Sequence, residues 1–261
     1  MKIENYEVFK SDISADTFNF PYNPRVYNAD VEKFVDEKQI PYSFTIFGTA
    51  NSLISRRPIV INGHFSGATK NSDYRSLVNQ IYDNKIKKLF FSDDLFYIVI
   101  PRNVKETRTG ERINFVDYVA SFTSPFGIAF SNTQKDGNSS SSEENEGNTD
   151  TPIEIISGGV TNGSPVTIKD KYGNGFTFTP SSTGTFTYRI IYNSDHSNDV
   201  RITEYADGYI GTTRQRLKVA ESGKRIFITL KSGESLNDLF TGGEITGITP
   251  TFYFRDGYSG E

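Results

Sequence analysis

Ile113-Asn-Phe-Val-Asp-Tyr-Val-Ala-Ser-Phe122, running on through Thr-Ser-Pro-Phe-Gly-Ile-Ala-Phe130, is the stretch whose reading decides the fold. Its first ten residues are rich in β-branched and aromatic side chains, which suit the pleated surface of a strand. Apolar groups fall on both faces: Val116, Tyr118, Ala120 and Phe122 on one, Ile113, Phe115 and Val119 on the other. A strand coated on both sides lies inside a domain or against another subunit. Asp117 is the only charge in the run. Past Phe130 the composition turns polar as far as Thr151, so this strand closes whatever the preceding chain builds.

Composition agrees with a strand-rich chain. The 261 residues hold 21 Phe, 15 Tyr and 22 Gly, a bias towards strands and turns. The aromatic surplus serves either an ordinary β core or subunit contacts, where aromatics are enriched. The length fits one large domain or two of ordinary size. With no cysteine there is no disulfide framework, thiol nucleophile or thiolate metal site. Met1 to Val8 lacks the apolar core of a secretory signal, and runs such as Leu95 to Ile100 are far too short to cross a bilayer.

Charge is informative once divided. The net charge is −4, and Thr133 to Thr151 alone carries five acids (Asp136, Glu143, Glu144, Glu146, Asp150) against Lys135. Taking these from the chain's 32 acids and 28 bases leaves 27 of each elsewhere. Neither half is therefore a basic body seeking nucleic-acid phosphate.

Around the opening strand the first half falls into recognisable parts. Asn19 to Arg25, with Pro21 and Pro24, reads as an extended arm. Asn28 to Gln39 fits either a short helix or a strand, with a mild local preference for helix. Tyr42 to Phe47 alternates as a strand, and Ile59 to Phe65 is another whose flanking glycines suggest a bulge or tight exit. Tyr74 to Tyr82 has helical spacing, with Ser72 or Asp73 able to cap it. Lys85, Lys87 and Lys88 follow as a solvated turn at the helix C-terminus. Leu89 to Phe91 and Leu95 to Arg102 are strands joined by the Ser92-Asp93-Asp94 turn, and Thr107 to Gly110 is a hairpin loop.

This order of parts carries a resemblance. It runs from the aromatic-Pro-Asn-Pro arm to Arg57-Pro-Ile-Val-Ile-Asn-Gly-His-Phe-Ser-Gly67 and the Tyr74 to Tyr82 helix. It continues through Tyr97-Ile-Val-Ile-Pro-Arg102 to Ser121-Phe-Thr-Ser-Pro-Phe-Gly127. Over residues 15 to 130 it resembles the N-terminal domain of distal tail proteins of long-tailed phages, the tail-tip hub family called Dit. The resemblance implies a β-sandwich or split barrel with one helix, assembled as a ring of six copies. It also turns Asn28 to Gln39 from helix to β-arm.

Residues 133 to 151 read as a flexible acidic linker, because their composition offers nothing to bury. From Pro152 to Glu261 short strands recur between turns. They are Ile153–Ile156, Val166–Ile168, Phe176–Phe178, Phe186–Tyr192, Val200–Tyr205, Arg214–Val219, Arg225–Leu230 and Thr251–Phe254. Such spacing predicts a second β-sandwich or barrel. Arg225-Ile-Phe-Ile-Thr-Leu230 ahead of Gly233, and the closing Thr249 to Tyr258, are similar to the galectin-like C-terminal domain of larger distal tail proteins. The expected organisation is a mainly β chain, with a ring-forming domain over 1–132 and a galectin-like β-sandwich over 152–261.

No enzyme chemistry is visible. His64 and His196 lie in different halves and outside any metal-ligand spacing, and no Gly-x-Ser-x-Gly elbow occurs. No catalytic, cofactor or metal residue is assigned, and no cofactor is called for. The resemblance implies a structural virion protein at the tail tip, assembled in the host cytoplasm. It would form a ring with itself and join the tail tube to tip, fibre or receptor-binding proteins. Phe90, Phe91, Phe115 and Tyr118 are candidates for the ring interface, and Asp117 for a partner at Arg108 or Arg112. The alternative is a carbohydrate-binding β-sandwich protein of a cell surface or adhesion device, with Tyr205, Tyr209 and Tyr253 as sugar platforms.

Overall fold

A computed structural model describes residues 1–6, 17–21, 24–28, 32–33, 55–83, 85–107, 114–188 and 205–259. The chain is mainly β. The first half supplies β1 (Lys2–Asn5), β2 (Phe18–Asn19), β3 (Arg25–Asn28), β4 (Glu32–Lys33), β5 (Ser55–Ser66), α1 (Lys70–Tyr82), β6 (Lys87–Phe90), β7 (Leu95–Glu106), β8 (Phe115–Ser124) and β9 (Ala129–Ser131). Along the main path the sheet runs β2-β1-β6-β7-β8-β5-β3, all antiparallel. The strand of the opening stretch is thus central, paired with β5 from Phe115–Ser66 to Ser124–Arg57.

One face of β8 is the core. Val116, Tyr118, Ala120 and Phe122 are buried together with Ile59, Ile61 and Phe65 of β5, and Leu77 and Ile81 of α1 cover them. The helix starts earlier than its apolar spacing suggests, because Thr69 rather than Ser72 or Asp73 stands at its N-cap. No register break occurs at Gly63, which pairs with Tyr118 across the β5–β8 ladder. A Cβ at 63 would strike the Tyr118 ring and hydroxyl, so this glycine makes room for a cross-strand aromatic. The tight exit falls at Gly67, whose φ is 82°. In the ambiguous stretch 28–39, Asn28 and Glu32–Lys33 are strand residues pairing with β5. The remainder of that stretch and Tyr42 to Phe47 lie outside the described residues.

The lysines after α1 are not a solvated turn. Lys85 is exposed, but Lys87 and Lys88 belong to β6, where they are 0% and 4% exposed. The strand lies between β1 and β7, and neighbours meet the trapped charges. Lys87 reaches Asn5, Gln80 and Asp83, and Lys88 lies 3.6 Å from Glu4. A buried ammonium persists only when so partnered.

The second half adds β10 (Lys135–Gly137), β11 (Thr151–Pro152), β12 (Glu154–Ser157), β13 (Val166–Lys169), β14 (Gly175–Phe178), β15 (Phe186–Tyr188), β16 (Tyr205–Ile210), β17 (Thr213–Val219), β18 (Thr229–Leu230), α2 (Leu236–Phe240), β19 (Glu244–Thr246), β20 (Pro250–Phe254) and β21 (Gly257–Tyr258). Nine of these strands form a second antiparallel sheet, β10-β20-β12-β15-β16-β17-β14-β13-β19. Its core gathers Phe176, Phe186, Tyr188, Leu217, Phe252 and Phe254 with Leu236 and Leu239 of α2. The run from Arg225 was expected to be one strand but is paired only at Thr229–Leu230.

Residues 133–151 depart from the flexible linker expected of their composition. Lys135–Gly137 pair with Phe254–Phe252, and Asn145 is fully buried. The Asn145 amide donates to the carbonyls of Thr149 (2.8 Å) and Leu230 (3.2 Å). Its oxygen accepts from the N–H groups of Gly147 (3.1 Å) and Gly257 (3.3 Å). Polar side chains here replace the backbone partners that a strand neighbour would supply. The first sheet is also incomplete at residue 132, since β21 returns to pair with β9.

Candidate assembly surface

The second face of the β5–β8 ladder is only half-buried. Val60, Asn62, His64 and Ser66 of β5 lie beside Ser121, Val119, Asp117 and Phe115 of β8 in register. All are half-buried except Phe115, which is 42% exposed. His64 meets the Phe115 ring edge-on at 5.4 Å. Arg25, opposite Asn62, extends the exposed rim. Asp117 stands across from His64, while Arg108 and Arg112 lie outside the described residues.

The same sheet face is already covered further along. Phe90, Phe96 and Ile98 of β6 and β7 cluster with Phe126, Ile128 and Phe130, and Tyr253 of the second sheet packs against them. Tyr6 donates its hydroxyl to the Glu154 carboxylate at this junction. Arg255, 1% exposed, donates to the carbonyls of Ser131 (3.3 Å) and Asn132, and its guanidinium lies 5.5 Å from the Phe96 ring centroid. Asp256 accepts from Lys135 at 3.1 Å and from the Glu146 N–H at 2.9 Å. Burial opposes the charge of Lys135, yet the Glu146 and Asp256 carboxylates hold its pKa above the usual lysine value.

These contacts sort the four aromatic candidates. Phe90 (2% exposed) belongs to the junction between the two sheets and Tyr118 (1%) to the helix-covered core, so neither side chain faces outward. Burial pushes the Tyr118 hydroxyl above its ordinary pKa. Phe91 is half-buried against Tyr97, in an edge-on contact at 5.3 Å. Phe115 remains the outward-facing member.

Of the three tyrosines of the sugar reading, Tyr209 and Tyr253 lie on strands that are not neighbours. Tyr253 is committed to the junction cluster. Tyr209 is half-buried on β16, which is separated from β20 by β12 and β15. At about 4.8 Å per strand this puts the two roughly 14 Å apart. Tyr205 belongs to β16, and its side chain lies outside the described residues.

An open groove of about 580 Å³ lies beside α2, lined by Lys171, Gly233, Glu234, Asn237, Asp238 and Thr241. Its central charges are paired: Glu234 meets Lys171 at 2.6 Å and accepts from the Tyr172 hydroxyl at 2.8 Å. Nearby, burial raises the pKa values of Asp150 and Asp170 above the ordinary aspartate value. Ser235, the N-cap of α2, accepts from the Asp238 N–H at 3.1 Å. The sequence Ser235-Leu-Asn-Asp238 carried that capping signal, and the sequence reading missed the helix. Among the described residues no group of three or more His, Asp or Glu could hold a metal ion.

No protein-family model matches the chain, and no curated protein sequence matches it. Two solved phage structures are similar. One is the SPP1 Dit protein, described as a paradigm of the hub adsorption apparatus in phages infecting Gram-positive bacteria. It is 13% identical, with 77% of this chain and 78% of that one covered and a TM-score of 0.37. The other is the baseplate of phage P2 in its activated conformation with Ca, at 11% identity, 78% and 79% coverage and a TM-score of 0.43.

Proposed function

We propose that this chain is a structural component of a phage tail, a hub protein that assembles with itself into a ring at the distal end. The ring, of six copies, joins the tail tube to the tip and receptor-binding proteins. The role is one of shape and contact rather than catalysis. The observation that carries the reading is the order of parts in the first half: a proline-rich arm, the long strand β5, the single helix, the β6–β7 pair and β8 closing on Ser121–Gly127. That order is the one on which the resemblance to distal tail proteins rests. The outer face of β5 and β8, with Phe115 at its rim, is the surface offered to a neighbouring copy. Native mass spectrometry and negative-stain imaging of the full chain test this. Ring-shaped multimers are expected, and a monomer persisting at high concentration defeats the reading.

A further inference from the structure

The buried Lys87 has chemistry set by the groups around its Nζ. Asn5 and Lys87 stand directly opposite one another on the neighbouring strands β1 and β6. Side chains so placed share a face, with their Cβ atoms about 5 Å apart. Ile3 and Leu89, the facing pair two positions along, belong to the helix-covered core, so Asn5 and Lys87 continue that face towards the end of α1. There the Lys87 Nζ donates to Asn5 Oδ1 at 2.5 Å, to Gln80 Oε1 at 3.0 Å and to Asp83 Oδ2. The Asp83 carboxylate is itself held, because its Oδ1 accepts from the Lys85 N–H at 3.0 Å.

An amine, a carboxamide and a carboxylate therefore meet at one point. The Asn5 Cγ lies one C=O bond behind the contacted oxygen, which puts Nζ no more than about 3.7 Å from it. Bonds form from separations of about 3–3.5 Å. Lys87 has no exposed surface, so an amide made there is out of reach of water. A buried ammonium also gains by passing a proton to the carboxylate that touches it.

We propose that Lys87 and Asn5 condense into an isopeptide bond that staples β1 to β6. Asp83 takes a proton from the Lys87 ammonium, and the neutral Nζ attacks Cγ of Asn5. The amide oxygen carries the negative charge of the tetrahedral adduct. Asp83 then gives its proton to Nδ2 and takes another from Nζ. Collapse restores the C=O bond, breaks Cγ–Nδ2 and frees ammonia, which leaves with the Asp83 proton as ammonium. One C–N bond replaces another, so the step needs no oxidant, reductant or cofactor. The chain has no cysteine with which to clamp a strand. This bond would fasten the four-residue β1, and β2 beyond it, to the sheet through a covalent link that cannot fray. The inference goes beyond the tail reading and does not depend on it.

The test weighs the purified full chain. Its mass should fall short of the sequence by one ammonia, about 17 Da. Trypsin should release a branched peptide that joins residues 3–10 to residues 86–88. Asn5→Ala and Lys87→Arg should each show the full mass of their sequence. Asp83→Asn should slow formation of the bond about a hundredfold, with an unchanged circular dichroism spectrum showing that the fold is kept. The two wild-type measurements decide the matter even where a variant does not fold. A folded wild type that stays at full mass after days of incubation overturns the inference. So does an ammonia loss carried by a linear peptide, as from succinimide closure at Asn162-Gly163 or Asn174-Gly175.

Discussion

Two neighbouring segments are ordered by opposite means. Residues 115–130 are held by burial: Val116, Tyr118, Ala120 and Phe122 enter the helix-covered core, and Phe126, Ile128 and Phe130 enter the junction. Residues 133–151 bury almost no apolar surface and are held by hydrogen bonds. Asn145 serves four backbone groups, Lys135 reaches Glu146 and Asp256, and Ser232 donates its hydroxyl to the Gly147 carbonyl at 2.6 Å. The first kind of order tolerates exchange of similar shapes and fails on loss of volume. The second tolerates little chemical change, because each lost partner strands a buried donor or acceptor.

The contrast can be broken at specific residues. Phe122→Ala should give the largest effect, a loss of about 3–5 kcal/mol in denaturant unfolding, by opening a cavity under α1. Asn145→Ala should cost about 2–4 kcal/mol, although it removes no apolar volume. A loss under about 0.5 kcal/mol there would show that something else orders the segment.

A smaller effect is expected with pH at Asp170, which lies in the turn after β13 and outside both segments. Burial raises the pKa of Asp170, against the opposing hydrogen bonds from Asn174 and Tyr172. A carboxyl raised on folding binds its proton more tightly in the folded state. Its charged form therefore costs stability as pH climbs from the ordinary value of 3.8 through the raised one. Wild type should gain stability relative to Asp170→Asn as pH falls through that window, and thermal melts that run parallel would refute this. The smallest change is expected from Phe115→Ser, within about 0.5 kcal/mol on unfolding because the side chain is exposed. Its effect should appear instead as weakened assembly.

Much of the fold was legible because apolar alternation is a direct print of burial. β8 lies where Val116 to Phe122 placed it, and β12, β13, β14, β17 and β20 fall within about a residue of their apolar runs. What was not legible was pairing between distant residues. Nothing local marks Lys87 as buried; its fate is set by β1 and β7 on either side. Phe90 reads as a sticky surface residue until Phe96 and Phe130 are seen beside it. Asn145 in an acidic, serine-rich run carries a disorder signal, and only its partners at Leu230 and Gly257 overturn that. The exposure of Phe115 was legible from its place on the second face of an apolar strand.

The pairing of β21 with β9 has a consequence for how the protein is made and how it moves. The backbone crosses between the two sheets twice, outward after Ser131 and back at Asp256, where Arg255 and the Ser131 N–H fasten both crossings together. A body tethered by one strand of chain can swivel, whereas one tethered by two adjacent strands can only flex. During synthesis the first sheet must wait, its β9 edge open, until the second has been threaded through. The second unit is thus folded as a long excursion within the first, and misfolding of either should leave an unpaired edge on the other.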